Sequence, residues 1–367
     1  MRKGQYRRSD LLRGEQIPVD LLNVLPKTDL HCHLDGSLRM ETFRELGAQV
    51  GFNVNGSSEE VRKRYFPEDR EMCQQEFLKY FDHTLAVLQN PENLQRVARE
   101  LALDAAAEGC WYLEVRFCPL LHDQTGMTSD DAVAAVARGL REAEECAHIF
   151  TGIIITGLRT IQPETSLELA KLAVAWKGRG VVAFDLAGTE ADYPAKDHRE
   201  AFYHVMNNNL NSTIHAGEGF GAASIHQALH WCGANRIGHG TSLREDPDLL
   251  EYVNDHRLPL EVCLSSNAQT GVVLDITEHP LRYYLDLGLR VTLNTDNTLF
   301  ARTSIARELV LAVQTFDLTL LETENLLLNG FKSAFLPERQ KADLVSEALE
   351  TFTSLRDKFA LDDIALS

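Results

Sequence analysis

The chain alternates between short β-rich runs and helical patterns, and this alternation limits the fold more than any other feature. Several runs, such as GIIIT and VVAFDLAG, are apolar without regular polar alternation, as in parallel strands covered on both faces. The predicted strands are Lys27–Leu34, Trp111–Phe117, Thr151–Thr156, Val181–Leu186, Ser212–His215, Arg236–Gly238, Leu260–Cys263 and Arg290–Leu293. Eight strands that alternate with helices predict a closed (β/α)8 TIM barrel of the α/β class, with a doubly wound sheet as the alternative.

Length and composition are compatible with one large domain. The chain has 367 residues, 44% apolar and 25% charged, and contains no linker rich in Pro, Gly and Ser. We therefore predict a single domain over residues 1–367, since barrels of this kind often exceed about 250 residues. Two regions depart from the repeat. Residues 57–109 are predicted to form a helical lid inserted after the first strand, and extra C-terminal helices after Ala301 are predicted to pack outside the barrel.

Charge and cysteine content restrict the partners and the compartment. With 36 basic and 54 acidic side chains, the formal net charge is −18, which repels phosphate backbones and argues against a nucleic-acid partner. The seven cysteines are odd in number and form no C-x-x-C pair, as expected for reduced thiols. The sequence has neither a secretory signal nor an apolar run of about 18 residues. We therefore expect a cytoplasmic protein with no membrane partner.

Polar clusters stand at the ends of four predicted strands. The first strand ends with His31 and His33, whose side chains point the same way because residues i and i+2 share one face of a strand. The other clusters are HAGE at 215–218, GHG at 238–240 and NTDN at 294–297. Because a barrel gathers its active site at the carboxyl ends of its strands, these side chains are expected to meet. Three histidines and a carboxylate suit a metal ion, and the additional Glu and His suit proton transfer.

The motifs, in their order, resemble those of the adenosine deaminase family of the amidohydrolase superfamily. They are PKTDLHCHLDGSLR, YLEVRF, DLAGTE, HAGE, RIGHGTSL, SSNAQTG and TLNTDN, and they extend from Pro26 to beyond Phe300. This resemblance implies a zinc-bearing (β/α)8 barrel, in agreement with the strand count. It further implies one zinc ion per chain, bound by His31, His33, His215 and Asp296 with a water in the remaining position.

The resemblance also implies the groups that act on the substrate. Zinc lowers the pKa of its bound water toward neutrality and so provides hydroxide at physiological pH. His239 is expected to orient this water, and Asp296 to accept its proton. Glu218 is expected to donate a proton to purine N1, which requires a raised carboxyl pKa. Asp185 is either a carboxylate that supports a metal ligand or a structural acid at the end of a strand.

Further positions match the part of the family's site that binds the nucleoside. Asp35 corresponds to the residue that hydrogen-bonds the ribose 5′ oxygen, or else it caps a helix. Gly188 and Gly217 leave room for a flat purine close to the main chain. Asn297 stands where the best-known members have an aspartate that contacts purine N7, and its amide is expected to donate to N7. The hydrophobic gate beside the ribose would consist of Phe77, Leu78 and Phe81, although their spacing also fits ordinary helix packing.

The implied function is the zinc-dependent hydrolytic deamination of adenosine or 2′-deoxyadenosine at purine C6, which releases ammonia and gives inosine. The expected partner is therefore a small purine nucleoside. Free adenine and a 5′-modified adenosine, such as the aminodeoxyfutalosine of menaquinone synthesis, remain alternative substrates. The acidic balance and the HLDG motif argue against AMP. The glutamate of HAGE argues against an amide- or ester-cleaving amidohydrolase, and the complete set of ligands argues against an inactive nucleoside-binding relative.

Overall fold

Eight parallel strands, paired in sequence order, form the centre of the molecule. The structure, a computed structural model, describes residues 7–67 and 79–364. Its strands are β1 (Lys27–His33), β2 (Cys110–Phe117), β3 (Phe150–Leu158), β4 (Val181–Ala187), β5 (Asn211–Ala216), β6 (Arg236–His239), β7 (Leu260–Val262) and β8 (Val291–Leu293). The predicted (β/α)8 barrel is confirmed, and the doubly wound sheet is wrong, because the strand order never reverses.

The barrel closes between β1 and the residues that follow β8. The His33 amide donates to the Asp296 carbonyl oxygen at 2.7 Å, and the Asp296 amide donates to the His31 carbonyl oxygen at 2.8 Å. The main chain of three predicted metal ligands therefore forms the seam between the first and the last strand.

Helices surround the barrel, and several begin where the sequence supplies a cap. They are α1 (Val19–Val24), α2 (Met40–Gln49), α3 (Ser58–Tyr65), α4 (Tyr80–Val87), α5 (Pro91–Ala107), α6 (Ser129–Glu144), α7 (Pro163–Ala175), α8 (Arg199–Asn207), α9 (Gly221–His230), α10 (Pro247–Asp255), α11 (Leu264–Gln269), α12 (Leu281–Asp286), α13 (Ile305–Thr315), α14 (Leu320–Ser333) and α15 (Glu338–Lys358). Thr128 and Thr319 start α6 and α14 with capping boxes, in which their hydroxyls accept the amides of Asp131 and Glu322. None of the helices in the described ranges is long and apolar enough to cross a bilayer.

The connection between β1 and β2 is the longest in the barrel, and it places a helix beside the barrel mouth. Helices α3, α4 and α5 lie within residues 57–109, and α4 carries Phe81 to the central cavity. The Phe81 ring meets Phe300, which follows β8, edge-on at 4.9 Å between ring centroids. At the other end of the chain, α14 packs against β8 and β1, and α15 packs against α14.

Charged side chains fill part of the barrel interior. The Arg116 guanidinium pairs with Asp185 at 3.1 Å and with Glu261 at 2.9 Å. The Arg236 guanidinium pairs with Glu261 and with Glu114, and all five side chains are buried. Loss of one partner from such a network leaves an uncompensated buried charge, which typically destabilises a protein by about 3–5 kcal/mol.

Candidate active site

Four predicted ligands, His31, His33, His215 and Asp296, converge at the carboxyl end of the barrel. One donor atom from each lies within 4.8 Å of the others, and all four residues are buried. His33 Nε2 is 3.1 Å from His215 Nε2 and 3.3 Å from Asp296 Oδ1. His31 Nε2 lies 3.5 Å from the same oxygen, is buried, and makes no hydrogen bond with any described residue. Three imidazole nitrogens and one carboxylate oxygen fit the ligand preferences of zinc.

The environment favours neutral imidazoles at two of these positions. Burial, reinforced by the positive charge of Arg116, lowers the pKa of His31 to about 4. Burial also holds the pKa of His33 well below its usual value. For His215, burial alone would lower the pKa, but the adjacent Asp185 carboxylate raises it overall. Because a histidine must be neutral at the nitrogen that binds a metal, His31 and His33 are prepared to act as ligands.

Buried carboxylates orient two of the histidine rings. His31 Nδ1 lies 2.8 Å from Glu261 Oε2, and His215 Nδ1 lies 3.2 Å from Asp185 Oδ1. Arg116 contacts both carboxylates, so one guanidinium links the supports of two ligands. Asp185 thus lies behind a histidine, in line with one of its two interpretations. Sequence analysis missed Glu261 and Arg116, and the available signal was the presence of charged residues inside predicted buried strands.

Glu218 and His239 lie together at the edge of the ligand cluster. His239 Nε2 is 3.7 Å from Glu218 Oε2. The Asn267 amide donates to His239 Nδ1 at 3.1 Å, which leaves the proton of the neutral ring on Nε2. The orientation of this amide follows from its oxygen, which accepts from Thr241 Oγ1 and faces His279 Nε2. Burial raises the pKa of Glu218, as a carboxyl that must donate a proton near neutral pH requires.

A cavity of about 260 Å³ opens beside these groups. The predicted substrate-binding residues that line it are Asp35, Phe81, Gly188 and Asn297. Phe77 and Leu78 lie outside the described residues. Gly217 does not line the cavity. A Cβ at this position would lie 2.5 Å from Ile225 Cδ1, and the φ of 73° also favours glycine here.

Several polar atoms beside the cavity have no partner within the described ranges. They include Asp35 Oδ1, Thr156 Oγ1 and Asn297 Oδ1, all of which are buried. Burial raises the pKa of Asp35 to about 7. Asn297 Oδ1 packs against Gly36, where a Cβ would lie only 1.8 Å away. Thr156 was not predicted, because nothing distinguishes it from the other threonines of the sequence.

Known proteins resemble the chain over most of its length. Residues 26–351 match the family model described as Adenosine deaminase. The adenosine deaminase of Mycobacterium marinum is 39% identical over 350 residues, which cover 90% of this chain and 96% of that protein. The adenine deaminase of Arthrobacter aurescens superposes with a TM-score of 0.83 at 26% identity, covering 90% of this chain and 100% of that one. The N6-mAMP deaminase of Arabidopsis gives a TM-score of 0.82 at 28% identity and covers 90% and 99%.

Proposed function

The chain belongs to the adenosine deaminase family, and we propose that it hydrolyses adenosine and 2′-deoxyadenosine at purine C6, releasing ammonia and leaving inosine or deoxyinosine. The observation that carries this proposal is the position of Glu218, a buried carboxyl of raised pKa beside His239 and the four-ligand cluster. A carboxyl of raised pKa at this position suits the protonation of purine N1.

We propose one zinc ion per chain, held by His31, His33, His215 and Asp296. The buried Nε2 of His31, which makes no hydrogen bond with any described residue, supports a ligand at this point, because an unsatisfied buried polar atom is costly. When bound, zinc supplies a water whose pKa is lowered toward neutrality. Ser266 Oγ donates to Asp296 Oδ2 at 2.5 Å, which leaves Oδ1 to face the histidines.

The residues of the chain then divide the proton transfers. Protonated Glu218 donates to purine N1 and makes C6 more electrophilic. His239, with its proton on Nε2, orients the attacking water. Asp296 accepts one proton of that water and passes it to the amino group, which leaves C6 as ammonia. The remaining hydroxyl proton returns to Glu218 as the C6 carbonyl forms.

The cavity favours a nucleoside over a nucleotide or a free base. Neither lysine nor arginine is among its lining residues in the described ranges, whereas Asp35 and Asp82 are, so a phosphate would find no counter-charge. Asp35 Oδ1 is free to accept a ribose hydroxyl, which free adenine lacks. We further propose that α3 to α5 serve as a lid and that Phe81 and Phe77 contact the ribose.

The cysteines and the net charge bear on the compartment and the partners. The described cysteines form no disulfide, which supports action in the reducing cytoplasm. The net charge of −18 argues against a nucleic-acid partner, and the proposed partner is a small purine nucleoside.

Ammonia release from a substrate panel tests the proposal. The panel is adenosine, 2′-deoxyadenosine, adenine, AMP and aminodeoxyfutalosine. We expect the highest kcat/KM for the first two. A clear preference for any of the other three would make the substrate assignment wrong, and no ammonia from any of them would make the reaction wrong.

A further inference from the structure

Glu190 is a buried carboxylate outside the proposed metal-binding and proton-transfer groups. It accepts hydrogen bonds from three consecutive main-chain amides. Its Oε2 accepts the Gly217 amide at 3.0 Å. Its Oε1 accepts the amides of Glu218 at 2.8 Å and Gly219 at 3.0 Å. The residue is only 3% exposed. Hydrogen bonds to a carboxylate are stronger than those between neutral groups, so this side chain fixes the main chain on which Glu218 stands.

The same turn is held from its other sides as well. Arg159 Nη2 donates to the His215 carbonyl oxygen at 2.8 Å, and the Ser242 amide donates to the Gly217 carbonyl oxygen at 2.9 Å. Gly217 has a φ of 73°, a conformation that L side chains rarely adopt. The turn therefore has a single defined path, and Glu190 supplies the acceptors for its amide groups.

One short segment connects these contacts with the rest of the site. Asp185 orients His215, Gly188 lines the cavity, and Glu190 holds the turn at Glu218. We propose that Glu190 is the positioning residue for Glu218, setting the distance between its carboxyl and purine N1. This inference rests on the proposed function, in which Glu218 is the proton donor. The negative charge of Glu190 also favours the protonated form of Glu218, because it helps to raise the pKa of that carboxyl.

Glu190→Gln is the sharpest variant, because it keeps the size of the side chain. Its amide nitrogen must face at least one main-chain N–H, so the turn loses an acceptor and gains an unfavourable pair of donors. We expect kcat for adenosine to fall at least about 10-fold with zinc content unchanged, because small displacements of a reacting group slow reactions steeply.

Two inhibitors separate positioning from a general loss of structure. Purine riboside has N1, whereas 1-deazapurine riboside does not. We expect wild type to bind the first more tightly, and Glu190→Gln to lose most of that preference while its Ki for the 1-deaza analogue stays unchanged. Glu190→Asp retains the carboxylate, so its preference for purine riboside is expected to lie between those of wild type and Glu190→Gln. It replaces the Gln variant if that variant does not fold.

Glu324→Gln is the matched control. Glu324 is also a buried acid, and it pairs with Arg356 at 2.7 Å between outer helices. Its loss is expected to lower Tm without changing the preference for N1. If Glu190→Gln keeps wild-type kcat and preference, or weakens both inhibitors equally, Glu190 does not position Glu218. If wild type binds purine riboside and its 1-deaza analogue equally tightly, the proposed role of Glu218 as proton donor is wrong, whatever the result for Glu190.

Discussion

At the scale of single residues, two members of the site stand on left-handed main chain. The φ angles are 61° for His239 and 60° for Asp296, in a region that costs non-glycine residues about 1–3 kcal/mol. Such strain persists only where neighbours over-determine the conformation. Here Asn267 fixes the His239 ring and Ser266 fixes the Asp296 carboxylate. His239 is the last residue of β6 and Asp296 follows β8, so both stand at the carboxyl ends of barrel strands.

Substitution of the proton donor gives the first prediction. In Glu218→Gln, an amide still hydrogen-bonds N1 but delivers no proton, so kcat should fall by about 10²- to 10⁴-fold or more. Steady-state kinetics and zinc analysis of the same preparation measure both effects. Zinc content should be unchanged, since Glu218 is not one of the four ligands. Near-normal turnover would exclude the donor role, and loss of zinc would make Glu218 a ligand or a structural residue.

Recognition of purine N7 gives the second prediction. If Asn297 Nδ2 donates to N7, a 7-deaza substrate leaves a buried donor unpaired, and kcat/KM should fall by about 1–3 kcal/mol, or roughly 5- to 150-fold. Asn297→Ala should remove most of the difference between the two substrates. Equal kcat/KM for adenosine and its 7-deaza analogue in wild type would show that Asn297 does not contact N7.

The residues that sequence analysis found and those it missed differ in where their partners lie. His31 and His33 are recognisable because their spacing on one strand places them side by side. Glu190, Glu261 and Asn267 act on groups far away in sequence, so spacing alone does not reveal their roles, although Glu190 and Asn267 lie within recognised motifs. Gly217 was predicted to make room for the substrate, and this stays a prediction; in the structure the residue has a φ of 73° and packs against Ile225.

At the scale of elements, helix α4, which lies in the long connection between β1 and β2, contributes to the lining of the cavity. The Phe81 side chain lines the cavity, and its ring centroid lies 4.9 Å from that of Phe300 and 6.2 Å from that of His33. We predict that Phe81→Ala raises KM for adenosine about 10-fold, with a smaller change in kcat, because the lost contacts serve substrate and transition state alike. Phe150→Ala, an exposed aromatic at the start of β3, should leave KM unchanged. An unaltered KM in Phe81→Ala would remove α4 from substrate binding.

Element boundaries show where sequence reasoning stops. All eight predicted strands are present, but β7 and β8 have only three residues each. Cys263 continues the apolar run of β7, yet it is the N-cap of α11. An apolar run indicates burial, and residues at the end of a strand and at the start of a buried helix are both buried. Hydrophobicity alone therefore does not locate the boundary between them.

At the scale of the whole molecule, metal binding and stability are linked. A metal that binds only the folded state raises the free energy of unfolding, by about 4 kcal/mol when its free concentration is 1,000 times Kd. We therefore predict that chelation lowers Tm by several degrees and that added zinc restores it, as measured by calorimetry. Asp296→Ala should abolish the zinc-dependent shift, and Asp255→Ala, which removes an exposed acid, should preserve it. An equal shift in both variants would place the bound zinc elsewhere.

The seam of the barrel has a consequence for how the protein is made. Its hydrogen bonds join His31 and His33, near the start of the chain, to Asp296, near its end. During synthesis the first two histidines leave the ribosome long before their carboxylate partner does, and contacts so distant in sequence form slowly. A nascent chain therefore lacks one of the four proposed ligands for most of its translation. The complete set comes together only once the last strand has closed the barrel.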